Sequence, residues 1–254
     1  MGDPDFHAPR TLDDAVLLLA DLKNASLVSG GQWVVPRIRS QDVTPDHIVT
    51  TQHLEELRGI RRDSDHIIIG AAETHDAIAT SSIADDAIPA LAALASRVGD
   101  QQVRNRGTLG GALASDAGRT DYGPALLALD GVLTTSTREL TAREFLTDDQ
   151  TARLSSDEIL ISVRFRIAKS ASYQKLAHPA ANFAEAGLFV SRFENGEVRF
   201  VVSGKDQWPI RLTEAERLLA AGHTDDISAY IKTRFHSDPF FASRLSALFS
   251  RVHE

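Results

Sequence analysis

The residues best suited to chemistry in this chain are two double-glycine segments, Ser29-Gly30-Gly31-Gln32 and Arg104-Asn105-Arg106-Gly107-Thr108-Leu109-Gly110-Gly111. Glycine leaves backbone N–H groups uncovered, and successive N–H groups in a concave turn bind anionic oxygens such as those of phosphate. Thr108 adds a hydroxyl donor beside the second pair. Two such turns from distant parts of the chain could grip one diphosphate between them. Each alone reads more readily as local geometry: Gly30-Gly31 as an ordinary turn, Gly110-Gly111 as a tight corner. The common fingerprints are missing, since no GxGxxG follows a strand and no GxxxxGK[ST] occurs.

Other reactive constellations are absent. The 254 residues include no cysteine, which excludes disulfides, thiolate metal sites and iron–sulfur clusters held by these residues. Nine histidines are scattered without an HExxH pair. Asp63, Asp65 and His66 read as a solvated loop before a strand rather than a ligand cluster. No nucleophile elbow accompanies a serine. The formal charge of −8 disfavours nucleic acid, although Arg97, Arg104 and Arg106 form a local basic spot. The opening MGDPDFHAPRTLDDA has neither a basic n-region nor an apolar h-region, and no apolar run approaches the ~18 residues of a membrane span. A cytoplasmic protein without a membrane span is the expectation.

The elements that must position the glycines are short. Thr11 reads as the N-cap of a helix with Ala15, Leu18, Leu19 and Leu22 on one face. Ala25 to Val28 is strand-like, broken by Gly30-Gly31 and expected to resume as a strand through Trp33-Val34-Val35 until Pro36. Ile48-Val49 and His66 to Ile69 are further strands. Ile88, Leu91, Ala92, Ala95 and Val98 predict a helix ended by Gly99. Pro124 to Leu129 predicts a short helix, and Val132 to Thr135 and Ile159 to Phe165 predict strands. Leu188 to Phe193 and Val198 to Val202 flank Asn195-Gly196, the signature of a β-hairpin. Helices follow over Glu214 to Ala221 and on the face Phe241, Leu245, Leu248, Phe249 and Val252. The small polar residues Lys169 to Ser172 suggest a boundary.

At this point several segments, in order, match a known family. Ser29 to Arg39 (SGGQWVVPRIR) and Asp100 to Gly111 (DQQVRNRGTLGG) resemble the two flavin motifs of the FAD-binding medium subunits of molybdenum hydroxylases, such as carbon monoxide and xanthine dehydrogenases. The resemblance continues through Tyr122 to Asp130 (YGPALLALD), Asp157-Glu158-Ile159-Leu160 and Tyr173-Gln174-Lys175, so it is collinear over nearly the whole chain. It implies an α+β, two-subdomain FAD-binding fold of the molybdopterin dehydrogenase type. The N-terminal subdomain would span 1–55 and the second 56–168. A C-terminal subdomain at 169–254 would hold a three-stranded antiparallel sheet plus helices.

The resemblance also implies a site. The FAD diphosphate would lie against Leu27, Val28, Ser29, Gly30, Gly31, Gln32, Trp33 and Val34, approached by Thr108, Gly110 and Gly111. Asp121 matches the aspartate near the cofactor's sugar portion, and Val98, Leu160 and Lys175 match lining positions. Gly110→Val is expected to remove FAD and leave the fold largely intact. Departures fall beside these residues. Trp33 stands where serine or threonine is common, Ala112 where asparagine is usual, Ala117-Gly118 where a small residue precedes proline, and Pro179 where arginine is frequent. Trp33 is open to two readings, core filling or stacking on a ring. The implied role is an electron-transfer flavoprotein subunit without a catalytic acid or base or a metal of its own. Its partners would be a molybdopterin-containing large subunit and a two-iron iron–sulfur small subunit. The alternative is an assembly subunit of the same fold that has lost FAD.

Overall fold

The computed structural model describes residues 3–116, 120–147, 154–179, 182, 184–204 and 207–252. Ala117-Gly118 lies outside them. Three sheets follow one another along the chain. The first comprises β1 (Asp5–His7), β2 (Ala25–Val28) and β3 (His47–Thr50), all parallel, in the order β1-β3-β2. Helix α1 (Leu12–Asp21) leads from β1 to β2, capped by Thr11, whose hydroxyl accepts the Asp14 amide. Its Ala15 and Leu19 are buried in one cluster with Val49, Leu54, Leu57, Ala72 and Ile159.

The segment after Gly30-Gly31 is a helix, α2 (Val34–Arg39), and not the strand that Val34-Val35 suggested. Pro36 is the third residue of α2, where a first-turn amide has no intrahelical partner to lose. Val35 is exposed and β2 is an edge strand, so no neighbouring strand was available to extend the sheet here. The first glycine pair therefore joins a strand to a helix.

The second sheet is antiparallel. It contains β4 (Ile60–Asp63), β5 (His66–Gly70), β6 (Val132–Thr135), β7 (Glu139–Thr141) and β8 (Leu160–Arg166), ordered β4-β5-β8-β6-β7. Between β5 and β6 run α3 (His75–Ala79), α4 (Ser82–Ala87), α5 (Pro89–Ala95), α6 (Gln101–Arg106), α7 (Leu109–Asp116) and α8 (Tyr122–Ala128). The helix expected from Ile88 onward begins at Pro89 and stops at Ala95. Ile88 closes α4 and opens α5, because proline disfavours helical geometry in the residue before it. A short helix α9 (Ala142–Phe145) follows β7.

The third sheet, also antiparallel, is ordered β12-β11-β10-β9, with β9 (Ser170–Ala177), β10 (Ala184–Arg192), β11 (Val198–Gly204) and β12 (Gln207–Arg211). It has four strands where three were expected. Pro209 hides β12 in the sequence, and an edge strand tolerates proline. The hairpin between β10 and β11 turns at Gly196, as its sequence predicts. Helices α10 (Thr213–Ala220), α11 (Thr224–Arg234) and α12 (Pro239–Ser250) complete the chain.

Alternation along β10 and β11 splits the third sheet between two cores. Phe189 and Val201 join Tyr173 in the large cluster with Ile67, Ile69, Leu126 and Phe165. Leu188, Val190, Phe200 and Val202 face Leu218, Leu245 and Phe249 of the last helices. The third sheet is thereby fixed to the middle of the chain, which holds Lys175 against Arg97 and Asp121.

Candidate functional site

The two glycine segments touch. A Cβ on Gly30 would overlap the Arg106 carbonyl oxygen and lie 2.9 Å from Gly107 Cα, so only glycine permits this backbone approach. Gly31 has φ +75°, which turns the chain from β2 toward α2. Among the described residues, none of the backbone amides from Ser29 to Val34 meets a hydrogen-bond acceptor. Leu27, Val28, Ser29, Gly30, Gly31 and Val34 are half-buried, whereas Gln32 and Trp33 are exposed. The result is a run of free donors on a loop, the arrangement that binds an anion.

The second segment is different. The Leu109 amide donates to Glu73 O (3.0 Å), Gly110 to Ala71 O (2.8 Å) and Gly111 to Thr108 Oγ1 (3.1 Å). Ala112 donates to Thr108 O at 2.9 Å and packs against the large core cluster. The bare amides expected at Gly110 and Gly111 are thus taken up inside the chain, because α7 starts at Leu109 and its first turn docks on the strand end at Ala71 to Glu73. A Cβ on Gly110 would sit 2.7 Å from Ala71 Cβ and 2.8 Å from its carbonyl oxygen. Gly110→Val therefore disturbs packing, and is not the fold-neutral probe the sequence suggested. Thr108 is buried, yet among the described residues its hydroxyl proton and amide have no acceptor. It remains the donor that this segment can offer.

Beneath the second segment lies a residue that the sequence did not single out. His75, the first residue of α3, is buried, with Nδ1 3.0 Å from the Tyr122 hydroxyl and its ring close under Gly107. Its amide donates to Gly107 O at 2.9 Å. Burial, helped by the Arg104 cation, pulls its pKa down to about 4, so the ring is neutral. Burial also raises the Tyr122 hydroxyl well above its usual range. The only local sign in the sequence is Thr74 as an N-cap; nothing local reveals that the ring is buried.

Asp121, Val98 and Lys175 form a second group. Lys175 Nζ donates to Asp121 Oδ2 (2.8 Å), Arg97 O (2.8 Å) and Asn182 O (3.0 Å), which occupies all three ammonium protons. Tyr173 donates its hydroxyl to Asp121 Oδ1 at 2.6 Å. Asn182 Nδ2 donates to Gly99 O (2.6 Å), and Arg104 donates to the carbonyls of Val98 and Gly99. The corner after α5 is thereby tied to β9, with Val98 half-buried in it. Arg97, Tyr173 and Asn182 were not candidates in the sequence, since their roles depend on contacts with distant partners. Leu160 stands apart, buried at the start of β8 opposite Thr135. Helix α6 runs from the Gly99 corner to the Gly30 contact and so connects the two groups.

A family model described as "FAD binding domain in molybdopterin dehydrogenase" matches residues 3–165. The chain belongs to this family. It is an FAD-binding flavoprotein subunit of an oxidoreductase. It is 29% identical over 200 residues to the carbon monoxide dehydrogenase medium chain of Hydrogenophaga pseudoflava, covering 76% of this chain and 70% of that one. With the xanthine dehydrogenase FAD-binding subunit of Escherichia coli O157:H7 it shares 31% identity over 226 residues, 84% and 77% of the two chains.

Solved structures agree. Carbon monoxide dehydrogenase from Hydrogenophaga pseudoflava lacking the Mo-pyranopterin moiety superposes with a TM-score of 0.80 at 25% identity, over 98% of both chains. Quinoline 2-oxidoreductase from Pseudomonas putida 86 shares the fold, with a TM-score of 0.87 at 21% identity over 99% and 95%. For this FAD-binding family, the described residues supply a glycine cradle, free amides beside it and no group of three or more His, Cys, Asp or Glu side chains able to hold a metal. Trp33 is exposed to 40%, which excludes core filling.

Proposed function

We propose that this chain holds FAD by its diphosphate on the Ser29–Val34 loop and passes electrons through it within a molybdenum-containing hydroxylase. The observation that carries the reading is the run of acceptor-free amides beside the Gly30–Arg106 contact. Hydrogen bonds to charged oxygens are the strong ones, and a neutral backbone cradle suits an anion on an acidic chain. Thr108 contributes its hydroxyl from the second segment. Gly110 lets α7 dock on Ala71 and so sets Thr108 in place, and Asp121, Lys175 and Val98 shape the wall farther along. The chain divides for this purpose into 1–55, 56–168 and 169–254.

Bound FAD supplies the redox chemistry, and the protein supplies binding, orientation and electrostatics. Electrons arrive from a two-iron iron–sulfur subunit fed by a molybdopterin-containing large subunit, and leave to an external acceptor. The absence of cysteine supports this division, because a cluster serving this flavin must find its thiolate ligands elsewhere. The complex works in the cytoplasm; among the described residues no helix is long and apolar enough to cross a membrane.

The test uses the visible spectrum of the purified chain with added FAD, with Gln32→Glu as the variant. Gln32 is exposed, so the new carboxylate leaves the fold alone and repels the diphosphate. Affinity is expected to fall about tenfold at low salt, with recovery as salt screens the charge. A colourless wild-type chain that takes up no FAD would support the assembly-subunit reading instead. FAD binding indifferent to Gln32→Glu would move the diphosphate off this loop.

A further inference from the structure

Trp33 is the exposed aromatic residue that ends the open loop. Its ring belongs to none of the hydrophobic clusters, although an indole left 40% exposed is a large apolar surface to present to water. The Arg37 guanidinium lies 5.3 Å from the ring centroid, one helical turn on, and braces the indole by a cation–π contact. Among the described residues neither Arg37 nor the nearby Arg106 has an ion-pair partner. A braced, half-exposed aromatic plane, with the Arg37 cation over it, therefore adjoins the free amides in the same loop. That combination suits a ligand with both an aromatic ring and an anionic phosphate.

We propose that Trp33 is a stacking platform for an aromatic ring of the dinucleotide bound at this loop, with Arg37 holding the indole in place. The proposal rests on the diphosphate reading above. Stacking needs no hydrogen bond, so a tryptophan here adds affinity from the ring face where a hydroxyl would have donated to the diphosphate. The shared ligand chemistry is a flat heteroaromatic ring carrying phosphate, which either the adenine or the isoalloxazine half provides.

The test is titration of the full chain and its Trp33→Phe, Trp33→Leu and Trp33→Ser variants with FAD, ADP and FMN. Binding is read by flavin difference spectra, calorimetry and tryptophan fluorescence. The chain has two tryptophans, Trp33 and Trp208, so quenching lost in Trp33→Phe reports the Trp33 ring alone. Trp33→Leu and Trp33→Ser are expected to weaken FAD by roughly tenfold to a hundredfold, and Trp33→Phe by far less. Melting temperatures should not change, because the ring fills no core. A parallel loss for ADP assigns the adenine half, and a loss for FMN the isoalloxazine half. FAD affinity that is unchanged in Trp33→Leu, or improved in Trp33→Ser by the added hydroxyl, overturns stacking while leaving the diphosphate reading intact. A wild-type chain that binds none of the three ligands overturns both.

Discussion

The first and second glycine pairs share a dipeptide and lie in segments that touch at Gly30 and Arg106, yet their backbones do opposite work. From Ser29 to Val34 the amides are free and the loop leaves an edge strand toward an exposed helix. From Leu109 to Ala112 every amide is matched by an acceptor on Ala71, Glu73 or Thr108. Glycine is needed in the first case because the chain must turn with positive φ and press against the Arg106 carbonyl. In the second it is needed because a helix must pack within a Cβ of another backbone. Glycine pairs thus mark close approach, and only their hydrogen-bond partners tell donor loops from spacers.

The largest test of this contrast is Gly30→Val. A side chain there overlaps the Arg106 backbone, so we expect a loss of about 3 kcal/mol or more in chemical denaturation, together with loss of FAD. A stable Gly30→Val chain with full FAD content would remove the contact from the site. A comparable effect comes from acid, through the histidine buried beneath the second segment. His75 has a folded pKa of about 4 against an unfolded value of ~6.5, so the unfolded chain binds more protons between these values. Stability should hold above pH ~6.5 and decline by about 3 kcal/mol as pH falls toward 4. Denaturation curves of His75→Gln should lack that slope; an unchanged slope would assign it to other groups.

The smallest effect is expected at Thr108. Thr108→Val removes the acceptor of the Gly111 amide and should cost about 1 kcal/mol of stability. Through the lost hydroxyl it should also weaken FAD about tenfold, with Thr108→Ser retaining both. If Thr108→Val binds FAD like the wild type, the Thr108 hydroxyl donates nothing to the cofactor.

Much of the scaffold was legible in the residues. The Thr11 cap, the hairpin at Gly196 and the helix expected over Glu214 to Ala221 follow from local rules, and the structure contains them, the last as α10. The family and its cofactor were legible from collinear motifs. The strand expected at Trp33 to Val35 was not found, since β-branched residues beside proline carry no record of whether a neighbouring strand exists to pair with. Strand β12 was hidden by Pro209 for the converse reason, because edge position is a property of the sheet. Helix α11 buries only Ile227 and Ile231, too sparse a pattern to read as a helix.

By itself the sequence determined two glycine segments and a nearby threonine in a cysteine-free acidic chain, and the collinear resemblance of its motifs to a family implied an FAD-binding subunit. These are consequences of residue type and order. Tertiary structure alone decided which amides stay free, that Lys175 closes on Asp121, Arg97 and Asn182, and that a neutral histidine lies under Gly107. Each depends on acceptors and burial contributed by residues far away in the chain. The identity of a donor is written in the sequence, but whether its proton is already taken is settled only when the chain folds.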